Sequence, residues 1–349
     1  MAVPVLVMSD IQFHSYKAHS RLVDGVNSRL LDQMEAWKKA VSIGVKYGCR
    51  LLLIPGDIFE VRGIIKPSVF NRVMELVMDA LGKGFDIGVI PGNHDMEHLD
   101  AGESAIDSWD YLRSGTAVNA TLCKVFKTAG IYVLGGYRIL GIPYMRDVEA
   151  FKAVFLELSA AESPDITMIH QGIDNFNSDG VYPSTGLTAE WLEEHNSGII
   201  LCGHYHRPGL SRGGRVINVG ALVQHRFSDE GSDRGCWVLH GGQVRFISID
   251  SPRFVTIAAP GLIGPNCRGA IVRIRANLQK AADELRKEAE AAGALSVVVE
   301  IEKEFKPAHE KTITISSPRE MIREFLDIVE KYKPYKKEIM ELFGRICVH

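Results

Sequence analysis

Apolar runs and helically spaced apolar positions alternate through the first two hundred residues. Residues 3–8 form a short apolar run that reads as a buried strand. Leu30, Met34, Trp37, Val41 and Val45 then recur at helical spacing, and Gly48 marks the end of that helix. Residues 51–54 make the next apolar run. A second helical stripe over 67–81 follows, carried by Val69, Val73, Leu76, Val77 and Met78. Residues 87–90, 166–169 and 199–202 are further apolar runs. Strands alternating with helices predict an α/β layered domain. Strands without polar alternation predict a sheet covered on both faces.

The pattern changes after residue 216. Strands at 216–219, 235–239 and 244–249 are separated by glycine-bearing turns, and Ser251-Pro252 marks a boundary. Beyond it, residues 270–275, a charged helix over 277–292 striped by Leu278, Ala281 and Leu285, and residues 296–301 predict a β-α-β unit. Gly293 stops that helix. Pro318 opens a last helical stretch through Met321, Phe325, Ile328, Tyr332, Ile339 and Phe343, interrupted by Pro334. The expected domains are therefore 1–250, 251–310 and 311–349.

With 46% hydrophobic residues over 349 positions, the chain has enough apolar side chains for a large core and a smaller module. A net charge of −3 excludes a polycation, so nucleic-acid contact would need a local basic surface. Cys49, Cys123, Cys202, Cys236, Cys267 and Cys347 are widely spaced, with no C-x-x-C pair. They read as reduced thiols of a cytoplasmic protein rather than a zinc knuckle. The short N-terminal run lacks the basic leader of a signal peptide, and no stretch approaches the roughly 18 apolar residues of a membrane span.

Chemistry-bearing residues cluster where the apolar runs end. The motifs are Ser9-Asp10-Ile11-Gln12, Gly56-Asp57, Gly92-Asn93-His94-Asp95, His170-Gln171-Gly172 and Gly203-His204-Tyr205-His206. Taken singly, Asp10 and Asp57 suit a cap or turn, His170 suits a core position, and the glycines suit ordinary turns. Their common position after strands matters more, because open α/β sheets place ligand sites beyond their strand ends. Together they offer carboxylates, an amide and imidazoles, a donor mixture that suits two adjacent divalent cations. Asp57 is the natural bridge. Mixed oxygen and nitrogen donors without thiolates favour Mn²⁺, with Mg²⁺ or Fe²⁺ as alternatives. Two such cations about 4 Å apart polarise a phosphoryl group and make hydroxide available near neutral pH. His94, left free of metal, is placed to protonate a leaving oxygen, with Asp95 orienting its ring.

These motifs resemble the calcineurin-like metallophosphoesterase superfamily over roughly residues 3–250. Within it, Gly56-Asp57-Ile58-Phe59, Leu140-Gly141-Ile142-Pro143-Tyr144 and Val219-Gly220-Ala221-Leu222-Val223-Gln224 resemble the SbcD-type nuclease subunits of DNA-repair and phage recombination complexes. So do Gly235-Cys236-Trp237-Val238 and Ser251-Pro252-Arg253-Phe254. The phosphatase pattern Gly-Asp-x-x-Asp-Arg-Gly is not met, since Asp57-Ile58-Phe59-Glu60-Val61-Arg62-Gly63 has an extra residue before Arg-Gly and Glu for Asp.

The resemblance implies a layered β-sandwich flanked by helices, a small capping domain and a C-terminal helical tail. It implies a first metal on Asp10, Asp57 and His206, and a second on Asp57, Asn93, His170 and His204. His94 would be the catalytic histidine. The family's Asp-x-His is here Asp10-Ile11-Gln12, so either Gln12 or His14 completes the first site. Glu60 stands where the nuclease branch often has histidine. The implied activity is a Mn²⁺-dependent DNA phosphodiesterase, exo- or endonucleolytic, in a bacterial cell or phage-infected host. Implied partners are DNA, an SMC-like coiled-coil ATPase docking on the tail, and a second copy of the chain. Arg62, Lys66, Arg207 and Arg226, with Arg212 and Arg215, lie near the motif loops as candidate phosphate contacts. The alternatives are a phosphoesterase for small or nucleotide phosphodiesters and a non-catalytic DNA-end scaffold.

Overall fold

The computed structural model describes residues 3–99, 102–115, 120–176, 183–301, 322, 323, 325–327 and 329–346. It divides into two compact units, Met1–Glu302 and Lys303–His349.

The first unit is built on two large sheets. One runs in the order Gln243–Ser248, Gly235–His240, Val5–Val7, Leu51–Ile54, Asp86–Val89, Thr121–Val125, Arg113–Ser114. The other runs Gly209–Leu210, Val216–Asn218, Ile199–Gly203, Ile166–His170, Tyr137–Ile142, Gly130–Leu134. The central strands of each are parallel.

Strand alternation explains why the apolar runs are unbroken. Val5, Val7, Leu51 and Leu53 pack with Ile166, Met168, Leu201 and Ile217 in a core between the two sheets. Leu6, Leu52 and Ile54 face the other way, against Trp37, Val41, Val73 and Val77 of helices Ser28–Lys46 and Pro67–Gly82. On the far side, Leu140, Ile142, Ile169 and Ile200 meet Phe151, Phe155 and Leu192 of helices Val148–Glu162 and Ala189–His195. The result is four layers, helix–sheet–sheet–helix, in which each central strand is buried on both faces.

Local signals set the helix starts. Asn27 accepts from the Leu30 N–H at 3.2 Å, and Asp147 accepts from Glu149 and Ala150. Pro67 occupies the first turn of its helix, where a missing N–H costs nothing.

Two helices and several strands go beyond the pattern read from sequence. Helix Val148–Glu162 carries adjacent apolar residues, such as Val154, Phe155 and Leu156, that blur a single stripe. Strand Tyr137–Ile142 contains Gly141, and Thr121–Val125 mixes Thr and Lys with apolar positions.

The region expected to form a cap holds a parallel three-stranded sheet, Phe254–Ala258, Ile271–Ala276 and Ser296–Ile301. Helix Gln279–Ala291 covers it through Ala282, Leu285 and Ala289, and the sheet contributes Val272 and Ile274 to that core. The first of these strands adds to the expected β-α-β. The sheet belongs to the same compact unit as the sandwich. Gln224 Oε1 accepts from Phe254 N at 2.7 Å, and Glu230 Oε1 accepts from Thr256 N at 2.6 Å. Ser251-Pro252 therefore marks a change of architecture rather than of compact body.

In the second unit, a 3-10 turn Glu330–Tyr335 holding Pro334 leads into helix Lys336–Ile346. The expected helix runs through Met321 and Ile328, which lie outside the described residues, as do residues 302–320. Cys49, Cys123, Cys202, Cys236 and Cys267 are free and buried, and Cys347 lies outside the described residues. Among the described residues no helix is long and apolar enough to cross a membrane.

Phe126 sits fully buried in the core between the sheets, stacked on Tyr132 at 4.2 Å. Phe126→Ala should cost about 3–5 kcal/mol in urea denaturation. Leu22→Ala, at a position 74% exposed, should stay within about 0.5 kcal/mol. Equal losses at the two positions would contradict this packing.

Candidate metal centre

The loops that follow the parallel strands are tied to one another. Asp10 N donates to Gly56 O (3.2 Å), Gln12 N to Asp57 O (3.0 Å) and Phe13 N to Ile58 O (2.7 Å). These bonds bring residues from distant parts of the chain around a cavity of about 260 Å³, lined by Gln12, Asp57, Asn93, His94, His204 and His206, with Tyr16, Glu60, His225 and Arg226.

Beside it the donor atoms converge. Asp10, Asp57 and His170 place ligand atoms within 4.8 Å of one another, all buried. Asn93 Oδ1 lies 3.1 Å from His170 Nε2 and 3.0 Å from His204 Nδ1. His170 Nδ1 is 2.7 Å from Pro55 O, which makes Nδ1 the donor to that carbonyl and leaves Nε2 facing Asp57 Oδ1 at 3.4 Å. The backbone is built for this closeness. A Cβ on Gly92 would overlap the Asp57 carboxylate, and one on Gly56, where φ is +94°, would overlap the His170 ring.

Electrostatics explain what the cluster needs. Burial pushes Asp10 up to about 6, with His170 pulling the other way. Burial also acts to raise Asp57, but His170 and His94 outweigh it and hold that carboxyl well below the usual range. For His170 burial is the largest single effect and favours the neutral ring, yet the charge and hydrogen bond of Asp57, with Asp10 and the Pro55 carbonyl, together outweigh it and lift the ring to about 9. Burial and the His170 charge together push His204 down to about 3. A proton on His170 thus balances the buried carboxylates. Divalent cations, which bring more charge to the same point, fit this donor set of carboxylate oxygens, amide oxygens and imidazole nitrogens.

The two candidates for the first motif separate clearly. Gln12 lines the cavity, its Nε2 placed 3.3 Å from Asp57 Oδ2. His14 instead packs edge-on against Tyr16, 5.0 Å between ring centroids, and contributes nothing to the lining.

The role expected of Asp95 needs correction. Its carboxylate does not hold the His94 ring; Oδ1 accepts from the Ile58 and Phe59 N–H groups and Oδ2 from Gly92 N. Asp95 therefore ties the loop after Asp57 to the loop after residue 91. The His94 ring is held by Glu60, whose carbonyl lies 2.5 Å from Nδ1. Burial, reinforced by Asp57, pushes Asp95 up to about 7.

The basic residues have mixed placements. Arg226 lines the cavity. Arg62 Nε donates to Asn93 O at 2.7 Å, so it steadies the Asn93 loop, and Lys66 Nζ donates to Ser15 Oγ at 2.9 Å. Arg215 is turned inward, donating to the carbonyls of Glu193 and Asn196. The carbonyl of Arg207 accepts from Asn218 Nδ2.

Glu60, noted in the sequence only as a departure from the nuclease pattern, lines the cavity. Three further groups at the site are not marked by the motifs: Tyr16, His225 and Asp229. His206 Nδ1 lies 3.3 Å from Asp229 Oδ1, and His225 Nε2 lies 3.0 Å from Asp10 O. Each belongs to a loop with no motif of its own, and long-range contact alone brings it here.

Residues 3–208 match the calcineurin-like phosphoesterase family. The chain belongs to that family. This calcineurin-like phosphoesterase is accordingly a metal-dependent hydrolase of phosphate esters, with the layered α/β fold its sequence predicts. It is 22% identical over 307 residues to exonuclease subunit 1 of Enterobacteria phage T4, covering 85% of this chain and 86% of that one. Among solved structures it is similar to Yfce, a phosphoesterase from E. coli (12% identity, 70% of this chain and 93% of that one, TM-score 0.35). It is also similar to the Pseudomonas putida nuclease MPE (14% identity, 70% and 87%, TM-score 0.30).

Because Gly92 leaves no room for a side chain against Asp57, Gly92→Ala should weaken divalent-metal binding by about 10-fold or more. Metal content after equilibrium dialysis, with circular dichroism to check folding, is the measurement. Unchanged metal content would show that Asp57 does not depend on this close approach.

Proposed function

We propose that the protein is a Mn²⁺-dependent DNA phosphodiesterase, the nuclease subunit of a recombination or repair complex. The observation that carries this reading is the convergence of Asp10, Asp57, Asn93, His170 and His204 beside a cavity into which His94 also projects. In this reading Asp10, Gln12, Asp57 and His206 hold one cation, and Asp57, Asn93, His170 and His204 hold the other. When bound, such a pair supplies Lewis acidity to the phosphoryl group and to the attacking water.

The chain's own residues do the rest. The Pro55 carbonyl fixes His170 in the tautomer that turns Nε2 inward. Arg62 holds the Asn93 backbone, and the His94 N–H donates to Asp57 Oδ1 at 2.9 Å, so the Asn93-His94 loop is tied to Asp57. With Nδ1 engaged by Glu60 O, the His94 ring keeps Nε2 for the substrate. There a protonated ring gives its proton to the leaving oxygen of the cleaved ester. Arg226, on the cavity wall, is the best placed of the basic residues to meet a neighbouring phosphate.

DNA is favoured over a small ester by the extent of the similarity to the phage exonuclease subunit. At 307 residues it reaches past the family match ending at 208 and so into the region of the capping sheet. That relative is called a subunit, which supports a partner for this chain too; the proposed partner is an SMC-like coiled-coil ATPase. Helix Lys336–Ile346, with Leu342 60% exposed, is the candidate docking element. A second copy of the chain is a further proposed partner, and the cytoplasm of a bacterium or phage-infected host the proposed location.

The test is cleavage of linear duplex DNA and of bis-p-nitrophenyl phosphate, with Mn²⁺ or with chelator. Native protein should cleave DNA only with metal. His94→Ala should keep its metal and lose about 10²–10⁴-fold in kcat. Wild-type turnover by that variant would remove His94 from the chemistry, and hydrolysis of the small ester without DNA cleavage would favour the small-substrate alternative.

A further inference from the structure

We propose that Asp229 is the positioning residue for His206, and that it sets the imidazole donor of the cation site whose other donors are Asp10, Asp57 and Gln12. The inference rests on the metal-site reading above and deepens it.

The three histidines proposed to hold metal are supported in different ways. His170 is held by a neutral carbonyl, Pro55 O. His204 turns its Nδ1 to the centre, toward Asn93. His206 alone among them has a carboxylate behind it, Asp229 Oδ1 at 3.3 Å from Nδ1. That contact leaves Nε2 as the nitrogen available to a cation. A carboxylate behind a ligand imidazole also makes it a stronger donor. The site concerned takes an amide, Gln12, among its donors, and an amide oxygen is a weaker ligand than an imidazole nitrogen. A better second donor is what such a site needs.

Asp229 is placed for this and is itself fixed. It is 6% exposed, and Arg234 Nη2 lies 3.4 Å from Oδ1. Its other oxygen, Oδ2, accepts from the His225 N–H at 2.8 Å. The local turn is closed through Oδ2, and Oδ1 faces both His206 and the Arg234 guanidinium. The same loop reaches the centre twice, because the His225 ring contacts the Asp10 carbonyl. The next residue, Glu230, grips Thr256 of the capping sheet through both N and Oγ1. The seat of the cap and the aim of His206 are thus joined within two residues.

The experiment is a Mn²⁺ titration of native protein and Asp229→Asn, followed by equilibrium binding and by electron paramagnetic resonance. Native protein should bind two Mn²⁺ per chain and give an exchange-coupled signal. The variant should keep one tight site, lose about 10–100-fold in affinity at the other, and show the coupled signal only at correspondingly higher Mn²⁺. If the variant matches native binding while its metal-free form merely unfolds at lower urea, Asp229 only closes a turn and the inference fails. If native protein itself binds no pair, the metal-site reading fails instead. A second measurement needs no variant. In histidine-¹⁵N-labelled native protein loaded with Zn²⁺, His206 should carry its proton on Nδ1. A proton on Nε2 would overturn the assignment.

Discussion

Buried negative charge is the constraint around which this molecule is organised. Asp10, Asp57 and Asp95 are all at most 2% exposed and lie at the same edge of the sandwich. Removing an ion from water costs several kcal/mol unless partners compensate it. Asp95 is compensated by three backbone N–H groups, and Asp57 by His170 and the His94 N–H. Asp10 takes the His204 N–H on both oxygens, at 3.0 and 3.2 Å. Those bonds also lock the motif loops together, so charge compensation and site geometry are one feature. What they leave over is a concentration of donors for which cations are the natural complement.

The backbone is strained at the same residues. Asp10 and Gln12 have φ of 49°, Asp57 of 54° and His204 of 109°, values at which residues other than glycine cost roughly 1–3 kcal/mol each. All four line or flank the centre. The four-layer sandwich can carry that cost because each loop leaves a strand buried on both faces, whose end cannot shift without opening two cores. Rigid strand ends thus hold in place conformations that free loops would abandon.

Much of this was legible in the sequence, for physical reasons. Leu51–Ile54 and Ile166–His170 are buried on both sides, so their runs are apolar apart from the hydrogen-bonded Thr167, and the residue where each run stops marks the site. Asp57, Asn93, His170, His204 and His206 follow from that. Gln12 and His14 could not be told apart by spacing. The bond from Gln12 N to Asp57 O turns the Gln12 side chain inward, and it exists only once the two loops meet. Adjacency to His94 suggests a contact between Asp95 and that ring, whereas the Asp95 carboxylate points away to the backbone of Ile58 and Phe59. Asp229 and His225 leave no trace in the motifs: His225 reaches Asp10 across 215 residues, and Asp229 meets His206 across 23, contacts that only the folded loops create. Helix Val148–Glu162 is not legible for a different reason: its apolar residues follow one another too closely to display a stripe.

The central claim is that these side chains grip two cations with Asp57 between them. Anomalous diffraction at the manganese edge from crystals grown with Mn²⁺ tests it most directly. Two peaks about 3.5–4 Å apart, with Asp57 touching both, Gln12 and His206 on one side and Asn93, His170 and His204 on the other, are the expected result. A single peak, or a pair that leaves Asp57 bound to only one ion, would contradict the account.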